Sequence, residues 1–531
     1  MAYEGKPKAS ARYSALEASR DSFLRRARDA AELTIPTLMP PDGHSGSTNY
    51  KTPFQAVGAR GVNHLASKLL IALMPPNSPF FRLQIDDFDL ETLGVQKRGQ
   101  AETALARIER AVMTEIESKA IRVPVFEALK QLIVAGNALV HMPKKGGLRV
   151  FRLDRYVVKR DTMGSILEIV IKETISPQML GPEIMDMIKQ SEEEFLDEDH
   201  KNLDLYTHVT RQGNQFYVCQ EVKGINLPNS EGTYPEDKLP FIPLRYTAID
   251  GEDYGRGFIE EYIGDLKSLE ALTQAVVEGS AAASKVLFLV RPNGSTKMRQ
   301  IAEAPNGAII QGDQNDVGVL QVGKQADLRV AQDVARQITE RLAYAFLLNS
   351  SVQRQAERVT AEEVRYMAQE LETALGGVYS VLSQEFQLPI ITLLMARLQK
   401  SGKMPRFPKD TIKPQITTGL EALGRGQDLN KLATLLKYLQ PLGPEAMAKY
   451  LNIEDYIDRL GSSLGIDTSG LIISEEERQS TMAQQQQMAQ QAMAQKSMMS
   501  MGEKAAPAVA KGMMEQMPAM MQQAQGQNNQ G

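Results

Sequence analysis

The five histidines, His44, His64, His141, His200 and His208, include no two at the i,i+3 or i,i+4 spacing from which a helix face holds a metal ion. Metal binding therefore has no sequence support, and no cofactor is expected. The single cysteine, Cys219, permits neither an intramolecular disulfide nor a cysteine cluster, which suits synthesis in a reducing cytoplasm. It reads as a small buried hydrophobe. A G-x-x-x-x-G-K-S/T phosphate loop, a G-x-G-x-x-G strand-to-helix turn and a G-x-S-x-G nucleophile elbow are all missing, so the usual nucleotide and hydrolase signatures fail together. The chain reads as a non-enzyme.

What remains is architecture. At 531 residues, with 42% hydrophobic and 24% charged content, the chain has material for about three or four structural units. The net charge of -5 argues against a protein that holds nucleic acid tightly by neutralising many phosphates. The longest apolar stretches are interrupted by Lys68, Lys130 or Glu385, so no membrane span is expected. The N-terminal residues lack the apolar core of a signal peptide.

Periodicity predicts helices over Arg12 to Leu33, Phe54 to Leu73, Ala101 to Lys119 and Val125 to Ala135, with Pro124 ahead of the last. Gly58, Ala59 and Gly61 leave the second helix open to a close neighbour. Strands are expected over Ala138 to Met142, Leu148 to Leu153, Tyr156 to Arg160, Ile166 to Glu173, Leu205 to Thr210 and Gln215 to Val222. The acidic run Ser191 to Asp199 reads as a solvated loop. Two long helices, Phe258 to Ser284 and Ala326 to Leu348, flank an insert with short strands at Val286 to Val290, Ala308 to Gln311 and Val317 to Gln321. The return helix offers the pairs Arg329 with Asp333 and Arg336 with Glu340. A polar break, Asn349 to Val359, precedes a capping box at Thr360, and the helix it starts is expected to kink or stop at Pro389. Leu429, Leu432, Leu436 and Leu439 mark a further helical face, and beyond Gln479 the Met, Gln and Ala composition favours helix without a core to anchor it. The fold class is α+β, mainly helical.

The stretch Phe54 to Leu69, FQAVGARGVNHLASKL, resembles the N-terminal signature of podovirus portal proteins of the autographivirus type. Further resemblance lies in Phe126 to Leu132 (FEALKQL), Asp250 to Gly257 (DGEDYGRG), Arg358 to Arg365 (RVTAEEVR) and Gly424 to Leu429 (GRGQDL), in the same order along nearly the whole chain. The resemblance implies a ring oligomer, typically a dodecamer, around a DNA channel at one capsid vertex, through which the genome is packaged and ejected. It implies a mixed α/β wing for residues 1–257, stem helices for 258–285 and 326–348, and a β-rich clip for 286–325 between them. A tunnel loop at 349–359, a wing helix and return at 360–419 and a helical crown at 420–473 follow, then a C-terminal helix and disordered Met/Gln-rich tail at 474–531.

In such a channel the tunnel loop offers Asn349, Ser350, Ser351, Gln353, Arg354, Gln355 and Arg358 as donors that touch phosphates without reading bases. Glu260, Asp265, Glu270 and Glu278 are candidates either for an acidic lining that lets DNA slide or for a solvated outer face. Implied partners are double-stranded DNA, terminase, a tail adaptor protein, and the major capsid, scaffolding and internal core proteins. The implied location is the virion, after assembly in the host cytoplasm. A DNA-packaging enzyme without a recognisable site and a helical interaction scaffold without a channel are the alternatives.

Overall fold

The computed structural model describes residues 8–76, 79–84, 95–191, 202–283, 287–320, 325–348, 361–375, 377–404, 415–418 and 425–443, with scattered positions between 451 and 488. The chain divides into two compact units, residues 1–430 and 431–531.

The first unit runs through helices α1 (Ala9–Glu32) and α2 (Val57–Leu73), strand β1 (Phe81–Gln84), and helices α3 (Val95–Ser118) and α4 (Arg122–Ala135). Strands β2 (Asn137–His141), β3 (Arg149–Phe151), β4 (Tyr156–Arg160) and β5 (Ile166–Ile175) follow, then helix α5 (Pro182–Ser191). Strands β6 (Leu203–Gln212), β7 (Gln215–Val222), β8 (Ile225–Asn226), β9 (Gly232–Pro235) and β10 (Phe241–Arg245) lead to helix α6 (Phe258–Ala283). Strand β11 (Leu287–Val290), helix α7 (Met298–Glu303) and strand β12 (Val317–Leu320) form the insert before helix α8 (Gln325–Ala345). Helices α9 (Ala361–Ala374) and α10 (Val378–Lys400) and strand β13 (Gln415–Thr418) complete it.

Among the described residues all strand pairs are antiparallel. The largest sheet has the order β4-β5-β6-β7-β8, with β9 also on β7; β10-β2-β3, β11-β12 and β1-β13 are smaller sheets. Helix α1 places Tyr13, Leu24, Ala27, Ala31 and the stem of Arg20 on its buried face, and it lies across the large sheet. Glu221 on β7 accepts from the backbone N–H groups of Ala9 and Ser10 (2.5 and 3.3 Å), a negative charge at the positive end of α1. The buried Arg20 guanidinium donates to Tyr13 Oη and to the carbonyls of Asp154 and Tyr156, so its charge is not stranded. Glu168 on β5 accepts from Arg12 Nε (3.0 Å) and Nη2 (2.5 Å) and from His208 Nε2 (2.7 Å). Burial pushes the Glu168 carboxyl up, but the hydrogen bonds from His208 and Arg12 and their charges outweigh it and hold it at about 2.

Three expectations need correction. Pro124 lies inside the first turn of α4 rather than ahead of it, because the first N–H groups of a helix have no intrahelical partner to lose. Helix α10 passes through Pro389 without stopping: a π turn at Ser383–Gln387 precedes the proline, widening the helix where the proline ring would otherwise meet a carbonyl. The break falls instead ahead of Val378, where Gly377 takes φ +92°. Residues Ala308 to Gln311 form no strand; Ile309 is fully exposed there, and β11 pairs with β12 directly. Helices α5 and α7 were not anticipated. Helix α10 is long and apolar enough to cross a membrane, and Ile390, Ile391, Leu394 and Leu398 along it are buried in the protein core.

The second unit is described only in part. Helix α11 (Arg425–Leu439) forms where leucine spacing predicted it and runs into the second unit, in which Tyr456 Oη donates to the Leu432 carbonyl (3.3 Å). The acidic run from Glu192 to Asp199 lies outside the described residues, as do most of residues 444–473 and nearly all of the tail.

Replacing Glu168 by Gln is expected to cost about 1–3 kcal/mol at neutral pH by weakening charged hydrogen bonds. The folded carboxyl, at about 2, titrates below the roughly 4.3 of an unfolded glutamate, so its contribution is complete above that unfolded value and is lost as pH falls towards 2. Thermal unfolding of wild type and variant should converge in acid, and a difference independent of pH would contradict this account.

Candidate functional site

Helices α6 and α8 form an antiparallel hairpin: Asp265 pairs with Arg341 (2.8 Å) near its base, and Leu328 packs over Gly279 near its far end. The small side chains Gly279, Ser280, Ala281, Ala282 and Ala283 let the return helix approach there. At the base, Phe258, Ile259, Leu266 and Leu269 of α6 and Ile338 and Leu342 of α8 are buried. Further out the hairpin leaves the core, with Val277 50% and Val330 63% exposed. Among the described residues, the ion pair on α8 is Arg341 with Asp265 across the hairpin, rather than Arg329 with Asp333 or Arg336 with Glu340 along it.

The four candidate acids of α6 have separate fates, and its fifth, Glu261, is exposed. Glu260 lies 3.5 Å from both Arg26 and Arg256. Asp265 is taken by Arg341. Glu270 accepts from the backbone N–H groups of Phe54 and Gln55 (2.9 and 3.1 Å), just ahead of α2. Glu278 is exposed and accepts only from Gln274 of its own helix (2.9 Å). Of the four, three are therefore spent on holding elements of the chain together, and Glu278 alone keeps the free carboxylate that a lining would need.

The end of α8 is fixed by α2. A Cβ on Gly61 would lie 2.4 Å from Phe346 Cγ, so only the bare backbone of glycine lets that ring settle on the helix. Phe346 also meets Phe258 edge-on (centroids 5.7 Å) and Tyr262 (6.4 Å), locking the two roots of the hairpin together. Leu347 then takes φ +55°, which is costly for a branched side chain, and His64 Nε2 donates to its carbonyl (3.0 Å). Burial, then the charge of Lys68, lowers the His64 pKa. Lys68 pairs with Glu370 on α9 (3.1 Å). Gly61, His64 and Lys68 thus present one face of α2 to the chain on both sides of residues 349–360. The predicted channel contacts Asn349, Ser350, Ser351, Gln353, Arg354, Gln355 and Arg358 lie outside the described residues.

In the insert, Asp316 accepts from Ser295 Oγ (3.0 Å) and from Thr296 N (3.1 Å) and Oγ1 (3.3 Å), and these bonds, led by the backbone one, lower its pKa. The two-stranded β11-β12 sheet leaves Phe288 and Leu289 on opposite faces, 60% and 57% exposed. Among the described histidines, His141 stacks on Phe241 (4.2 Å) and is pushed down to about 4 by burial and then by Arg149. Among the described residues no group of His, Cys, Asp and Glu is arranged to hold a metal ion.

Two long antiparallel helices carrying a small β insert, rooted in a mixed α/β body, are the architecture of a connector-type subunit. Residues 6–472 match the family described as bacteriophage head to tail connecting protein, and the chain belongs to that family. Among its relatives, the portal protein of Escherichia phage T7 is 44% identical over 89% of this chain and 89% of its own length. The portal protein of Enterobacteria phage SP6 is 34% identical over 89% of this chain and 91% of its own. A solved structure described as the neck of an empty GTA particle covers 71% of this chain and 86% of its own, at 11% identity and a TM-score of 0.37, too distant to inform the site.

Gly61→Ala should cost about 1–3 kcal/mol by overpacking against Phe346, and Phe346→Ala about 3–5 kcal/mol. The double variant should lose less than the sum, because the added methyl enters the space the ring vacates. Strictly additive losses in thermal unfolding would show that the two do not share one contact.

Proposed function

We propose that this chain is a portal protein: a non-enzymatic subunit whose copies close into a ring, typically of twelve, around a DNA channel at one capsid vertex. In this reading α6 and α8 are the stem, the β11-β12 insert is the clip, the sheet-bearing body is the wing, and residues 349–359 are a tunnel loop facing DNA. Residues 420–473 are the crown. Terminase and then a tail adaptor engage the ring from outside, while major capsid, scaffolding and internal core proteins meet it within the head.

The observation that carries the reading is the uncovered outer half of the hairpin. Val277, Val330 and Val334 on its helices and Phe288 and Leu289 on its insert are exposed in the single chain. An isolated two-stranded sheet is marginal in water, and an apolar helix pair projecting from a core needs a cover. Head-to-tail contacts between identical copies that close by rotation supply one at every position. The connection to the α8 end through Gly61, His64 and Phe346 gives the proposed loop a rigid point of departure, which a group that must meet passing DNA requires.

Electron micrographs and native mass of the purified chain should show closed rings with an axial opening; monomer alone at micromolar concentration would overturn the reading. Replacing both Arg354 and Arg358 by Ala should leave those rings intact and impair packaging or retention of DNA. Full-length packaging by the double variant would reduce residues 349–359 to a connector.

A further inference from the structure

We propose that the loop between β2 and β3, together with the ends of α3 and α10, forms a surface outside the channel that binds the phosphate backbone of double-stranded DNA. Arg397 on α10 donates to the carbonyls of Pro143 and Gly146 (the latter 2.9 Å), gripping the loop that carries Lys144 and Lys145 between them. The next residue, Gly147, abuts the carbonyl of Lys119, just past the end of α3. Lys403, beyond α10, pairs with the buried Glu115 one turn before Lys119 (3.5 Å), and Lys400 closes the last turn of α10. Three separate elements thus bring Lys119, Lys144, Lys145, Lys400 and Lys403 to one exposed surface. Among the described residues, only Lys403 of these has a carboxylate partner.

Cations in the last turn of a helix favour its negative end, which gives Arg397 and Lys400 a local reason to be where they are. That reason does not extend to Lys144 and Lys145, which stand on a loop. Holding like charges together costs energy, and here the loop is held by a guanidinium that itself adds to the charge. In a chain of net charge -5 such a concentration stands out. The residues that build it include no aromatic side chain, whereas the core of a protein interface is rich in aromatics and poor in lysine. Ammonium groups on held backbone, without an apolar centre, fit a regular array of phosphates, read without regard to base sequence.

The test is binding of a short fluorescent DNA duplex to the intact protein across a salt series. Lys144→Ala/Lys145→Ala and, independently, Lys119→Ala/Lys400→Ala should each weaken binding roughly tenfold at moderate salt, and should each lower the slope of log affinity against log salt by about 1 per lysine. Particle shape and thermal unfolding of both variants should match wild type, which separates this result from any failure of the ring itself. Unchanged affinity and slope in both variants would overturn the proposal. So would a peptide of residues 191–199 that binds wild type and neither variant while DNA binds all three alike, since the surface would then belong to an acidic protein segment.

Discussion

The seating of the Phe346 ring on the bare backbone of Gly61 sets how near the end of α8 can come to α2, and the projecting hairpin takes its position from it. The same ring meets Phe258 and Tyr262 at the root of α6, so one contact locates both helices. Around it α2 has few surfaces left. Leu65, Leu69 and Leu73 are wholly buried, Lys68 holds α9, and the last carbonyls of the helix, on Ala72 and Leu73, accept from Tyr379 and Gln387 of α10. Helix ends leave carbonyls without intrahelical partners, and supplying them from a neighbouring helix fixes distance and rotation at once.

Where helices meet the large sheet, charge is used in place of further apolar contact. Arg160 spends its guanidinium on the carbonyls of Asp253 (3.1 Å), Gly164 (2.9 Å) and Pro243 (2.8 Å), and burial, followed by the nearby Arg245, pushes it down to about 10. Buried ions add little net stability but tolerate few alternative arrangements, because each misplacement leaves a charge without its partner. The body that carries the hairpin is accordingly held in register by Arg12, Arg20, Arg160 and Glu168 as well as by its core.

The acids of α6 show how function and scaffold compete for the same side chains. Glu260, Asp265 and Glu270 serve α1, α8 and the segment just ahead of α2, while Glu261 near the root and Glu278 towards the far end are exposed. Lys144 and Lys145 stand on the body, on the loop between β2 and β3.

Much of this molecule was legible in the order of its residues. The boundaries of α6 and of the β4 and β7 strands, and the start of β5, follow from periodicities of 3.6 and 2, because a half-buried helix or strand must repeat its apolar face. The stretch Phe54 to Leu69 announced a helix open to a close neighbour, but not that the neighbour at Gly61 would be Phe346, nearly three hundred residues on. The spacing of Gly61, His64 and Lys68 put them on one face without saying what that face would hold. Pro389 misled because the π turn that accommodates it is stabilised by packing of Phe386 and Gln387 in the core, which no local propensity records. Lys119, Lys144 and Lys400 were three unrelated lysines until Arg397 held the loop of Lys144 to α10 and the Lys403–Glu115 pair held α10 to the end of α3. Local sequence determines which face of an element is apolar, since that depends on neighbours a few residues away; which faces meet, and which charges are consumed when they do, depends on contacts between residues hundreds of positions apart, and only the folded chain decides them.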